Sequence, residues 1–225
     1  MSKVAPPPGL RTTFEEDPSA TRIVLIRHGE ADVNVSGVIG GHRGCSGLTQ
    51  RGQSQVHALA QRLVHSRELD AATVLVSSEL ARAKETAAIL KVALPRVGDV
   101  EIDCELCELH PGVADGLTWD ELLERYGAAD WRGDPTIPFA PEGESWVGFV
   151  ERVGAGLEAL ALRHQSSTIV VATHAGVIEA SILSLLMRSP DQRMGLSTKH
   201  ASMTEWERSD RGWRLLRYND AYVAD

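Results

Sequence analysis

Cysteine is scarce in this 225-residue chain: Cys45, Cys104 and Cys107 are the only three. So low and odd a count excludes a disulfide framework and suits a reducing compartment. Cys104 and Cys107 form a CxxC. A zinc or redox reading asks for a partner pair, or for a helix starting after a strand, and the linear sequence displays neither. The two are read as incidental thiols near a strand end, and neither a metal nor a cofactor is expected. Long apolar runs are also lacking. No segment approaches the roughly 18 apolar residues of a membrane span. Where a secretory signal would have its apolar core, Lys3 is followed by Pro6, Pro7 and Pro8, so the cytoplasm is the expected location. Positive charge is in deficit: 23 Lys and Arg against 31 Asp and Glu give a net charge of −8. That argues against nucleic-acid and membrane-surface partners, which favour a basic face.

What the chain does have is enough apolar residue, 43%, for one α/β domain with an insertion. Residues 1–20, with their prolines and the acidic run Glu15, Glu16, Asp17, read as a disordered lead-in. The domain is expected over residues 21–225, with the insertion at about 111–145. Ile23-Val24-Leu25-Ile26, Thr73-Val74-Leu75-Val76 and Thr168-Ile169-Val170-Val171-Ala172 are continuous apolar runs, the pattern of strands covered on both faces. Residues 100–109 read as a further strand region, and residues 203–207 and 213–218 as a terminal hairpin around Asp210-Arg211-Gly212. Helical spacing joins Val56, Leu59, Ala60, Leu63 and Val64; Leu80, Ala83, Ala87 and Leu90; and Trp146, Phe149, Val150, Val153, Leu157, Leu160 and Ala161. A short helix is expected near residues 119–126. A buried one is expected over 177–187, stopped by Pro190. Alternating strands and helices imply a three-layer α/β/α sandwich with a mostly parallel central sheet and an inserted, cap-like segment.

Functional groups of such folds gather at the carboxyl ends of the strands. Four polar clusters follow four apolar stretches: Arg27-His28-Gly29-Glu30, Ser77-Ser78 with Arg82 beyond, Glu108 with His110, and Thr173-His174-Ala175-Gly176. Phosphoryl transfer needs this set. Arginine grips phosphate oxygens bidentately. Neutral imidazole attacks phosphorus, and a protonated second imidazole stabilises charge on the equatorial oxygens. A protonated carboxyl serves the leaving oxygen. The N–H groups of Ala175 and Gly176, at a helix start, suit an anion, and Gly29 would let the backbone approach a phosphate. Ser77-Ser78 is expected to cap the next helix.

The block Arg27-His28-Gly29-Glu30 followed by Asn34 resembles the signature of the histidine phosphatase superfamily, the phosphoglycerate mutase-like family. The likeness continues through Gly47-Leu48-Thr49-Gln50-Arg51-Gly52-Gln53, Ser77-Ser78-Glu79-Leu80-Ala81-Arg82-Ala83, Glu108, Gly116-Leu117-Thr118 and Thr173-His174-Ala175-Gly176, and spans residues 22 to about 219. The resemblance implies that His28 is the phosphorylated nucleophile and that Arg27, Arg82 and His174 complete the phosphate pocket. It also implies that Glu108 is the proton donor and Asn34 a secondary phosphate contact. Two loops depart from the family pattern: Cys45-Ser46-Gly47-Leu48, where many members have an acid and a proline before Leu-Thr, and Gly112-Val113-Ala114-Asp115-Gly116.

The implied activity is hydrolysis of a small phosphate monoester without a metal. A phosphoglycerate mutase and a non-catalytic phospholigand-binding protein are the rivals. Pro141-Glu142-Gly143-Glu144-Ser145 is similar to a segment common among the family's phosphatases. The partner expected is the phosphorylated substrate itself, and the oligomeric state is left open, a homodimer included. Trp131 and Phe139 are read as lining a substrate cap and Trp146 as core; Glu101 and Glu105 compete with Glu108 as exposed carboxylates. His42, His57, His65 and His164 are assigned to surface or structural roles, and His110 and His200 are left unassigned.

Overall fold

The computed structural model describes residues 17, 19–189 and 194–221. Six strands form one sheet in the order β3-β2-β4-β1-β5-β6. These are β1 (Thr21–Arg27), β2 (Ala72–Ser77), β3 (Glu101–Ile102), β4 (Thr168–Thr173), β5 (Ser202–Ser209) and β6 (Gly212–Ala221). The first four run parallel, and β5 and β6 add an antiparallel hairpin on the far side of β1.

Both faces of the sheet are covered, which is why the strands are apolar without alternation. In β1, Val24 and Ile26 pack with α2 (Gln50–Ser66) and α3 (Ala81–Lys91) through Val56, Leu59, Leu63 and Leu90. Ile23 and Leu25 face the other layer, α5 (Trp146–Arg163) and α6 (Ala175–Leu185), through Phe149, Val153, Leu157, Val177 and Leu183. Period two thus distributes one apolar run between two cores. Carboxylates on β5 are neutralised in place: Glu205 meets Arg22 and Arg217, and Glu207 meets Arg214.

The insertion carries α4 (Trp119–Tyr126), where Thr118 and Glu121 form a reciprocal capping box. Its own small core joins Ile39, Ala114, Leu122 and Ala140. The short helix α1 (Asp32–Ser36) follows the first polar cluster.

Four expectations need correction. The strand over residues 100–109 shrinks to Glu101–Ile102, because the Asp103 side chain accepts from Glu105 N (3.0 Å) and starts a 3₁₀ turn at Cys104–Leu106. Val64 is 62% exposed, since it sits one residue, about 100° of helix, past Leu63. The buried helix ends at Leu185, which leaves Met187 exposed; Pro190 lies outside the described residues. The lead-in falls on residues 1–20, of which 1–16 and 18 lie outside the described residues, but Ala20 is already buried and its N–H binds Asp17 O.

Candidate active site

Parallel pairing brings three carboxyl ends level. Arg27 is opposite Thr173, and Ser77 is opposite Ala172. The next residues, His28, Ser78 and His174, therefore converge although 50 and 96 positions separate them in sequence. The His28 N–H continues the ladder to Thr173 O and Ser78 N–H to Ala172 O.

His28 is buried with a defined tautomer. Its Nδ1 lies 2.6 Å from the carbonyl of Gly29, which can only accept, so Nδ1 carries the proton and Nε2 the lone pair. Arg82, in the first turn of α3, donates Nε–H to that Nε2 at 3.1 Å and Nη1–H to Gly40 O at 2.9 Å. Burial first, then the Arg82 charge, pushes His28 well below the ordinary 6.5. The ring of His174 stands edge-on to His28, centroids 5.2 Å apart. His174 is fully buried, its Nε2 lies 2.6 Å from Ser78 Oγ, and its Nδ1 has no hydrogen-bond partner among the described residues. Burial and Arg82 hold it well below 6.5 too. The protonated form expected from the sequence therefore requires a neighbouring anion to raise it.

Arg27 bonds Thr198 O, and its Nε is buried without a partner among the described residues. Glu108 accepts from Leu109 N at 3.2 Å and from Gly176 N at 3.1 Å. The Gly176 N–H is thus taken by a carboxylate rather than left for a ligand, and Ala175 is the helix-start residue that lines the cavity. Asn34 lines it as well, with Oδ1 accepting from Ala31 N (3.0 Å) and lying 3.2 Å from His200 Nε2. Arg27, His28, Arg82, Glu108, Asn34 and Ala175 therefore share one cavity of about 290 Å³, with His174 directly behind His28.

One expectation needs correction here. Ser78 is not the N-cap of α3, which is Leu80 with no side-chain bond of its own; the Ser78 hydroxyl accepts from Leu80 N–H at 3.4 Å and lies 2.6 Å from His174 Nε2. At Gly29 the fold itself requires a small residue, since a Cβ there would strike the backbone of Gly52 in α2.

Sequence reading also missed two contributors. His200, in the loop before β5, stands 5.9 Å from His28, and burial and Arg27 push it down to about 4. No local motif marks it. Arg152 of α5 gathers the carbonyls of Cys104 (3.1 Å), Glu105 (2.8 Å) and Cys107 (3.2 Å) and holds Glu144 through two bonds of 2.7 and 2.8 Å. It fixes the irregular segment that presents Glu108, and no local motif marks it.

The rest of the cavity wall is apolar. Trp119, Phe139, Trp131, Trp146 and Phe149 form a chain of ring contacts with centroids 5.6–5.8 Å apart. Trp131 and Phe139 line the cavity as expected for a cap, and Trp146, although buried in the core, reaches it too.

The chain is similar to known proteins over most of its length. The model of the histidine phosphatase superfamily (branch 1) matches residues 23–221. A metal-independent phosphoserine phosphatase of Arabidopsis thaliana is 31% identical over 89% of this chain and 82% of its own length. A 2,3-bisphosphoglycerate-dependent phosphoglycerate mutase of Thermoplasma acidophilum is 33% identical over 80% of this chain and 84% of its own. Among solved structures, a mycobacterial glucosyl-3-phosphoglycerate phosphatase complexed with VO3 superposes with a TM-score of 0.74 at 28% identity, over 89% of this chain and 99% of that one. The family model covers most of the chain, and these relatives share its length, so the protein belongs to the histidine phosphatase superfamily, branch 1.

Proposed function

We propose that the protein is a phosphatase that hydrolyses a phosphate monoester through a phosphohistidine on His28, with Glu108 as proton donor. The observation that carries this reading is the His28 tautomer: Nδ1–H is tied to Gly29 O, leaving the Nε2 lone pair beside the Arg82 guanidinium. In the first step Nε2 attacks phosphorus in line; the P–N bond forms as the P–O bond to the alcohol breaks, and Glu108 gives its proton to the departing oxygen. In the second, water attacks phosphorus, Glu108 takes its proton, and His28 leaves as the neutral ring. Arg27 and Arg82 supply fixed positive charge, and an arriving dianion would raise His174 toward its cationic form. The unpartnered Arg27 Nε and His174 Nδ1 support a ligand of this kind, because buried polar atoms are otherwise paired.

The phosphatase reading is favoured over the mutase by the wall opposite the phosphate. Of the described residues lining the cavity, only Arg27 and Arg82 are cationic, and apolar residues, among them Val38, Ile39, Leu109, Trp131 and Phe139, form most of the remainder. A phosphoglycerate carboxylate finds no cation there beyond the two arginines that would grip the phosphate, whereas an apolar or aromatic alcohol does find a surface. The test is a series of monoesters with phosphate release as readout, together with quenching under denaturing conditions. Aryl and alkyl phosphates should exceed 3-phosphoglycerate in kcat/KM by about tenfold or more, and an acid-labile phosphoryl adduct should form on the wild type and not on His28→Ala. Primed isomerisation of phosphoglycerate outrunning phosphate release would replace this reading with the mutase.

A further inference from the structure

The CxxC thiols, set aside on the sequence as incidental, have company in three dimensions. One donor atom each from His42, Cys104 and Cys107 lies within 4.8 Å of the others. His42 Nε2 and His110 Nε2 each stand 3.6 Å from Cys104 Sγ, and the two imidazole rings are 5.6 Å apart. We propose that Cys104, Cys107, His42 and His110 bind one divalent transition-metal ion of the zinc type, in tetrahedral two-thiolate, two-imidazole coordination.

Bond lengths of about 2.3 Å to sulfur and about 2.0–2.1 Å to nitrogen, at tetrahedral angles, put sulfur and nitrogen about 3.6 Å apart, which is the separation found to both imidazoles. The sulfurs, 2.6 Å apart, must open to about 3.8 Å. Cys107 is buried and Cys104 is not, so the latter has room to turn. Outer partners are in place as well. Glu144 Oε2 lies 3.7 Å from His110 Nδ1, on the ring nitrogen opposite the one facing Cys104, and is itself fixed by Arg152. A carboxylate there orients a ligating imidazole and raises its basicity. Glu79 stands 3.2 Å from His42 Nε2 and must yield that nitrogen to the ion. The loop bearing His42 is already shaped, because Asp115 accepts from the N–H groups of Gly41, Arg43 and Gly44 at 2.8–2.9 Å. Binding converts two thiols to thiolates and releases two protons.

The ion would not enter the phosphoryl chemistry. It would tie the loop whose Gly40 carbonyl holds Arg82 to the segment in which Glu108 stands between Cys107 and His110. Its role is to hold two walls of the cavity together, and the inference stands whether or not the protein is a phosphatase.

The full chain, reduced and stripped of metal, is titrated with zinc and separately with cobalt. We expect one ion per chain by elemental mass spectrometry. The cobalt form should show thiolate-to-metal charge-transfer absorption with the intense visible bands of a tetrahedral site. Cys104→Ser and Cys107→Ser should each lose the charge-transfer band in part and weaken binding by tenfold or more, and His110→Ala should weaken it by about 10–100-fold. Binding far below one equivalent, an octahedral cobalt spectrum, or affinity unmoved by the cysteine variants would overturn the site. So would a reducible Cys104–Cys107 disulfide that forms equally fast with zinc present, which a thiol count on the wild type reads without any variant.

Discussion

The guanidinium of Arg82 donates Nε–H to Nε2 of His28 across 3.1 Å, the nitrogen whose lone pair Gly29 leaves free. The same arginine holds Gly40 O, so its fork is oriented from both ends. An incoming phosphate would take over the Nε–H bond at the moment it meets the nucleophile. Lysine would keep the charge but not the fork. Arg82→Lys should therefore lower kcat/KM by roughly 10²–10³, measured by phosphate release under conditions where the variant's circular dichroism matches wild type. Activity within a factor of about two of wild type would remove Arg82 from the phosphate site.

Glu108 is anchored by two backbone N–H groups, from Leu109 and Gly176. If it protonates the leaving oxygen, its loss should matter in proportion to how badly the leaving group needs a proton. Glu108→Gln should cost about 10²–10⁴ in kcat/KM on alkyl phosphates and far less on p-nitrophenyl phosphate. Equal losses on both would move the donor role to a neighbour, with His110 the first to examine.

Three histidines are held neutral inside the fold. His28 and His174 lie well below 6.5 and His200 at about 4, with burial as the largest cause in each. In the unfolded chain all three take up protons as the pH falls through 6.5. The native rings do so only at lower pH, near 4 for His200 and below the ordinary value for the other two. The unfolded state thus binds more protons throughout that window, and native stability declines as the medium acidifies. The urea midpoint should be lower at about pH 5 than at about pH 7, and His200→Asn should reduce the difference. A midpoint that rises on acidification would mean that these rings are charged in the native state.

Gly52 sits in the first turn of α2, where helix propensity alone would make Gly52→Ala stabilising by about 0.5–1 kcal/mol. A Cβ at that position would collide with the carbonyl oxygen of Glu30, and one on Gly29 with Gly52. The two glycines let the loop after His28 lie directly against the helix. Gly52→Ala should therefore destabilise by about 1–3 kcal/mol, read as a lower Tm, and reduce turnover as well. A raised Tm would show that the loop yields freely.

The readable parts of this protein were those with local signatures. The apolar run of β1 announced a strand covered on both sides, and the spacing of Val56, Leu59, Ala60 and Leu63 announced the face of α2 that packs on it. Strand β3 was not readable, since apolar composition over residues 100–109 gives no warning that Asp103 will cap a turn and that Arg152, from α5, will hold the carbonyls beyond it. His28, Glu108 and His174 could be chosen from their place after apolar stretches and from the ordered motifs; the structure sets His28 and Glu108 on one cavity, with the His174 ring 5.2 Å from that of His28.

By itself, then, the sequence determined which residue types stand at the strand ends, because periodicity and chemical type are properties of neighbours along the chain. The tertiary structure decided what those residues touch. Inserting β4 between β1 and β2 sets Ser78 against His174 as well as against the start of its own helix, and brings Arg82 to the imidazole of His28. Closing the loop of Asp115 carries His42 to Cys104, 62 positions away. The loop before β5 delivers His200, pinned by its neighbour's N–H from Ala201 to Arg27 O. Each of these contacts joins segments whose separation in sequence carries no periodic signal, so each depends on the order of strands in the sheet and on the packing that order imposes.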